Sequence, residues 1–124
     1  MAIRKVPPIA QPQVEACCAP IGAEPLSMAD AGRMSRKFAA LADPVRLRIL
    51  SMLATAAGGA VCEHDLVEPV GRSQPTVSHH LKALKEAGLV TAQRDAKNTW
   101  YTVVPAALDA LREVLSVRGQ VTAR

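Results

Sequence analysis

The tightest constraint on this chain is its punctuation. Between residues 43 and 88, starters and stoppers of helices recur in close order: Asp43 precedes Pro44, Gly58 and Gly59 follow an apolar stretch, Pro69 and Gly71 close the next segment, Ser73 opens another and Gly88 ends it. Asp or Ser ahead of a helix, Pro in its first turn and Gly at its end is the order that capping demands. The region is therefore cut into short helices, each of which has to bury one apolar stripe against the others. Val45, Leu47, Ile49, Leu50 and Leu53 supply a stripe for the first, with Arg46 and Arg48 outside it, and Val77, Leu81 and Leu84 supply one for the last. Aromatic residues are 2% of a chain that is 49% hydrophobic, so the core is built from Ala, Leu and Val, which favours helix.

The flanking segments complete the pattern. Residues 1–26 carry Pro7, Pro8, Pro12, Pro20 and Pro25 without helical or strand period and read as a flexible arm that holds Cys17 and Cys18. Ser27 caps a helix over 27–42, with Met28, Ala31, Met34, Phe38 and Leu41 on one side and Arg33, Arg36 and Lys37 on the other. A short helix covers roughly 63–68, its Glu63, Asp65 and Glu68 tolerated by the helix dipole, and Ser73 caps a helix running to about 87. Residues 89–94 and 99–104 are β-branched or aromatic-containing runs around Asp95, Ala96, Lys97 and Asn98, which predicts a hairpin. Pro105 opens a last helix through Leu108, Leu111, Val114 and Leu115 to about residue 117, and 118–124 fray. The expected fold is mostly α: five helices and a two-stranded hairpin in one domain over 27–117, between an arm and a tail.

Several classes are excluded. A chain of 124 residues leaves no room for a large enzyme with its own substrate domain, and a domain of this size often completes its apolar burial in a partner subunit. No apolar run reaches the length of a membrane span, and the start Met1, Ala2, Ile3, Arg4, Lys5 lacks a secretory apolar region, so a cytoplasmic protein is expected. There is no phosphate-cradling glycine loop, cofactor fingerprint or catalytic constellation around the cysteine pair, which argues against an enzyme. Three cysteines, two of them adjacent, are expected as free thiols in a reducing compartment.

Two short helices joined by a Gly-containing turn, the second rich in small polar and basic residues, followed by a basic hairpin, is the order of a winged helix-turn-helix. Ser73, Gln74, Thr76, Ser78 and His79 are short hydrogen-bonding groups suited to base edges, Arg72, Lys82 and Lys85 suit flanking phosphates, and Arg94 and Lys97 put positive charge at the hairpin tip. His80 is assigned to DNA or packing, and Trp100 and Tyr101 to packing in the hairpin.

The segments ALADPVRLRIL at 40–50 and SQPTVSHHLKALKEAGLV at 73–90 resemble the ArsR/SmtB family of small dimeric repressors, which release operator DNA when a metal or metalloid binds. The similarity runs from about residue 27 to 115. It implies that the 73–87 helix reads the major groove, that the first and last helices form a dimer interface, and that the operator is an imperfect inverted repeat. No cofactor is implied for DNA binding itself.

The family's arsenic-sensing pattern is Cys-x-Cys-x-x-Cys at the start of the third helix, whereas this chain has Cys62, then His64 and Val67. The other soft donors are Cys17 and Cys18, and the chain is similar to arsenite-responsive variants that carry an adjacent cysteine pair in the arm. Trivalent arsenic or antimony prefers three thiolates in a pyramid, so Cys17, Cys18 and Cys62 form a matching set for As(III) or Sb(III) as inducer. Two alternatives share the scaffold: a Zn²⁺ or Cd²⁺ site using Cys62, His64 and Asp65 with an arm cysteine, and a thiol redox or persulfide sensor. The family's other zinc site, on the last helix, is not expected, because Asp109 and Glu113 there have no histidine beside them.

Overall fold

The computed structural model describes residues 5–14 and 19–117. Five helices, α1 (Met28–Leu41), α2 (Pro44–Thr55), α3 (Glu63–Val70), α4 (Gln74–Glu86) and α5 (Pro105–Val114), accompany three strands, β1 (Val61–Cys62), β2 (Val90–Asp95) and β3 (Asn98–Val103). Capping explains most of the boundaries. Ser27 accepts a bond from the Asp30 N–H, and Ser73 from the Thr76 N–H. The Asp43 carboxylate accepts from the N–H groups of Val45 and Arg46 at 2.8 and 3.1 Å, with Pro44 filling the position that needs no donor. The Arg46 N–H foremost, then that of Val45 and the nearby His80 and Arg46 charges, hold this carboxyl below the usual 3.8 against the opposing effect of desolvation.

α3 extends to Val70, past the expected stop at Glu68. Pro69 removes a single N–H near the end, and the Gly71 N–H then closes the helix on the carbonyls of Val67 and Glu68. Gly71 does so at φ +74°, where a side chain would be strained. α5 stops at Val114 and not near 117, because the amides of Leu115 and Ser116 bond back three residues and the arm takes over the free carbonyls: Ile21 N–H donates to Val114 O and Gly22 N–H to Ser116 O. At Gly22 a Cβ would lie 2.7 Å from the Val117 Cα, so only glycine permits this approach.

The core is aliphatic. Ile49, Leu53, Leu66, Val77, Leu81, Leu84 and Leu89 are fully buried where the helices meet the hairpin. Leu47 is a correction to the expected α2 stripe: it is 51% exposed. At 3.6 residues per turn it stands about 110° around the helix from the centre of Ile49, Leu50 and Leu53, outside the buried arc. Met28 and Leu115, expected on buried faces of α1 and α5, are 86% and 53% exposed.

The hairpin pairs Val90 with Val103 through to Asp95 with Asn98, and Ala96 adopts φ 55° in its two-residue turn. The sheet holds a strand that was not expected. β1 pairs antiparallel with β3 on the other side, Val61 opposite Tyr101 and Cys62 opposite Trp100, giving the order β1-β3-β2 in place of two strands. A two-residue strand is too short to show a period in sequence. On this edge Ala60, Cys62 and Trp100 form a second apolar cluster, roofed by Val6 and Ile9. Residues 5–14 contain no helix or strand, yet they are held there, with Gln11 Nε2 donating to Val103 O at 3.1 Å.

Candidate nucleic-acid interface and thiol site

The start of α4 presents Arg72, Ser73 and Gln74 to solvent, and His79, Lys82 and Lys85 follow along the exposed side, with Thr76 and Ser78 half-buried. Ser73 is occupied by capping, and its hydroxyl lies 3.0 Å from the Thr76 hydroxyl, so these two brace each other. His80 separates from His79: its Nδ1 accepts from Arg46 Nε at 3.1 Å, tying α4 to α2, while the His79 ring stands edge-on to it at 5.7 Å. His79 thus remains on the outer face, and His80 serves packing. In the wing, Arg94 and Lys97 are exposed, and Arg94 bonds to Ala96 O and Thr99 Oγ1, which stiffens the tip. A pocket of about 280 Å³ unites these elements, because Gln74 of α4, Arg94 and Lys97 of the wing, and Cys62, Glu63 and His64 all line it. The expected DNA-facing residues and the thiol segment therefore share one surface.

Glu63 is the residue that sequence reading missed. Its carboxylate accepts from Gln74 Nε2 at 2.6 Å and from Ser78 Oγ at 2.7 Å. It also hydrogen-bonds the Tyr101 hydroxyl, whose pKa is pushed up to about 12 by burial first and then by the Glu63 charge and bond. Three donors from α4 and β3 thus converge on the first residue of α3. An acidic group opening one helix and amide and hydroxyl groups opening the next is the available signal, and dipole compensation at the α3 start masks it.

Cys62 ends β1 and occupies the N-cap position of α3, where its side chain makes no capping bond. It is 1% exposed, in one cluster with Ala60 and Trp100 against which Val6 and Ile9 pack. Trp100 and Tyr101 are buried in the sheet, as expected, and the Trp100 indole N–H has no partner among the described residues. His64 and Asp65 are exposed on α3. Among the described residues, no three His, Cys, Asp or Glu side chains are grouped to hold a metal ion. Cys17 and Cys18, the other two expected ligands, lie outside the described residues.

The model of the bacterial regulatory protein, arsR family, matches residues 43–92, which is α2 through the first strand of the wing. The arsenical resistance operon repressor of Staphylococcus aureus is 40% identical over 77 residues, covering 62% of this chain and 71% of that protein. The chain belongs to the arsR family. Among solved structures it is similar to the homodimeric winged helix-turn-helix DNA-binding domain of a possible ArsR-family regulator from Mycobacterium bovis. That likeness has a TM-score of 0.60 at 28% identity, over 73% of this chain and 82% of that one. The AntR antimony-specific transcriptional repressor gives a TM-score of 0.60 at 33% identity, over 72% and 79%. This arsR-family chain is thus a winged helix-turn-helix transcriptional repressor and not an enzyme. Among the described residues, no helix is long and apolar enough to cross a membrane.

Proposed function

We propose that the protein binds an inverted-repeat operator as a homodimer and lets go when As(III) or Sb(III) is held by the thiolates of Cys17, Cys18 and Cys62. The observation that carries the DNA half is the shared surface of α4 and the wing, where Gln74, Arg94 and Lys97 face one pocket. Exposed Lys82, Lys85, Arg94 and Lys97 neutralise phosphates and release counterions, while Gln74, Ser78 and His79 offer donors and acceptors to base edges. Arg72, Ser73 and Thr76 belong to the same helix start and hold the backbone approach. Exposed Ile21, Met28, Leu115 and Val117, on α1, at the end of α5 and on the arm attached there, supply apolar area for a partner subunit.

The inducer half rests on where the arm lies. Val6 and Ile9 pack on the cluster of Ala60, Cys62 and Trp100, and Gln11 is bonded to Val103 of β3, the strand that pairs with Cys62. Cys17 follows Gln11 by six residues, a tether of at most about 20 Å when extended. The chain that carries the cysteine pair therefore starts from the Cys62 edge, in its own subunit or toward its partner's. Three thiolates satisfy a trivalent, lone-pair-bearing centre, and binding needs the buried Cys62 thiol to be uncovered first.

The test is fluorescence anisotropy of labelled DNA from upstream of the protein's own gene, titrated under reducing conditions with arsenite, then Zn²⁺ and Cd²⁺. Release by arsenite, abolished in Cys17→Ser, is the expected result. Release by the divalent ions alone would move the site to Cys62 and His64, and release only on oxidation would make the protein a redox sensor.

A further inference from the structure

We propose that Glu63 is the residue that sets what the reading helix accepts: its carboxylate takes the hydroxyl proton of Ser78 and one amide proton of Gln74, and so determines which base edges those side chains match. This rests on the operator-reading role of α4 and goes a step beyond it.

The chemistry is one of committed protons. An ionised carboxylate only accepts, so at 2.7 Å the Ser78 hydroxyl must donate to Glu63. The Ser78 oxygen then has lone pairs alone to offer a groove, although a free serine donates or accepts with equal ease. Such an acceptor matches the exocyclic amines of adenine and cytosine and opposes the O6 of guanine and the O4 of thymine. Gln74 gives one N–H to the same carboxylate oxygen at 2.6 Å, which leaves one N–H and the carbonyl oxygen. That remainder is the donor and acceptor pair complementary to adenine in the major groove. The clasp also determines which way the amide points, since reversing it would set the carbonyl against a carboxylate.

The Tyr101 hydroxyl, its pKa raised by burial and by the Glu63 carboxylate, belongs to β3, so the wing stands beside the same group. Cys62 is bonded to Glu63 through the chain and lines the same pocket as Gln74. Glu63 touches no base in this arrangement; it is a positioning residue.

The experiment is selection of binding sites from a random duplex pool by the full-length wild type, followed by affinities of wild type, Ser78→Ala, Gln74→Ala and Glu63→Gln for the selected site, its single-base variants and random DNA. The base position read by Ser78 is the one at which Ser78→Ala loses discrimination. Every base pair shows one exocyclic amine in the major groove, so removing it at that pair, with nebularine in place of adenine or zebularine in place of cytosine, is expected to cost wild type the same discrimination that Ser78→Ala loses; unchanged wild-type affinity for the amine-free site would overturn the proposal without any Glu63 variant having to fold. Glu63→Gln, which lets Ser78 donate, should lower the ratio of site to random affinity roughly tenfold, the value of a good base contact. Removal of a negative charge should at the same time tighten binding to random DNA. An unchanged ratio, or losses at positions that Ser78→Ala and Gln74→Ala leave untouched, would refute it. In a Gln74→Ala/Ser78→Ala background Glu63→Gln should lower discrimination no further; an additional drop would also refute it. Failure of the wild type to bind any duplex would overturn the operator-reading role itself, a different outcome from loss of discrimination in the variants.

Discussion

Truncating both Val6 and Ile9 to alanine should unseal Cys62 without unfolding the domain. The two side chains are half-buried over Ala60, Cys62 and Trp100, and the substitutions remove two carbons from the valine and three from the isoleucine. At about 0.8 kcal/mol for each fully buried carbon, halved for partial burial, the cover is weakened by about 2 kcal/mol. Residual contacts in the lifted state reduce that figure to about 1–2 kcal/mol. Since 1.4 kcal/mol is a factor of ten, the uncovered population should rise roughly 5- to 30-fold.

The assay is the rate at which an aromatic disulfide reagent modifies Cys62 in a Cys17→Ser/Cys18→Ser chain, so that one thiol reports. While opening and closing outrun modification, this rate follows the open population. The melting temperature of the main core should hold, because neither side chain belongs to it. Modification no faster than in the parent chain, or acceleration only in proportion to a fall in melting temperature, would refute the reasoning. In that case Cys62 is reached through global unfolding and the arm is not its cover.

Other consequences are equally concrete. Leu81→Ala, at a fully buried position on α4, should cost about 2–5 kcal/mol in a urea melt and take DNA binding with it. Lys82→Ala and Lys97→Ala should each lower the slope of log affinity against log salt by about 0.9 on any duplex, whereas Gln74→Ala should lose discrimination between operator and random DNA. Tyr101 is the chain's one tyrosine, so an absorbance titration should place its ionisation near about 12. Because the folded state holds that proton above the unfolded value of 10, stability should fall as pH rises between the two, and Tyr101→Phe should flatten the fall. Asp43 has the opposite sign: its depressed carboxyl contributes stability above its unfolded value of 3.8 that is lost as pH falls through the folded value, and Asp43→Ala should lower the melting temperature at neutral pH.

The helices were legible because local chemistry decides them. Ser27, Asp43 with Pro44, Ser73 and Pro105 each mark a start that the structure keeps, and Val77, Leu81 and Leu84 bury the face their spacing requires. Leu47, Met28 and Leu115 were misplaced for a shared reason: an apolar side chain at the edge of a stripe carries no local sign of whether another surface covers it. β1 was hidden because pairing across some forty residues, Cys62 to Trp100, leaves no trace in a two-residue strand. The α4 and wing residues were legible as a polar and basic set, but their partner Glu63 was not. Its role comes from the angle between α3 and α4, which brings Gln74 and Ser78 to it from eleven and fifteen residues away. The arm likewise reads as free of period, and the docking of residues 5–14 through Val6, Ile9 and Gln11 depends on a sheet edge that sequence did not reveal.

Trp100 has a practical consequence. It is the single tryptophan of the chain, 95% hidden from water and opposite Cys62 in the sheet, so all indole emission originates at the thiol's side. Light from this protein is a local signal with no background from the rest of the fold. An arm that stays down keeps the ring dry and its spectrum blue; an arm that rises lets water reach an N–H that has no partner among the described residues, and the spectrum reddens. A heavy atom bound to the neighbouring sulfur, which has to be uncovered before it can bind, would dim the emission as well as redden it. One cuvette can therefore tell the opening of the cover from the capture of the metalloid, without a label and before any DNA is added.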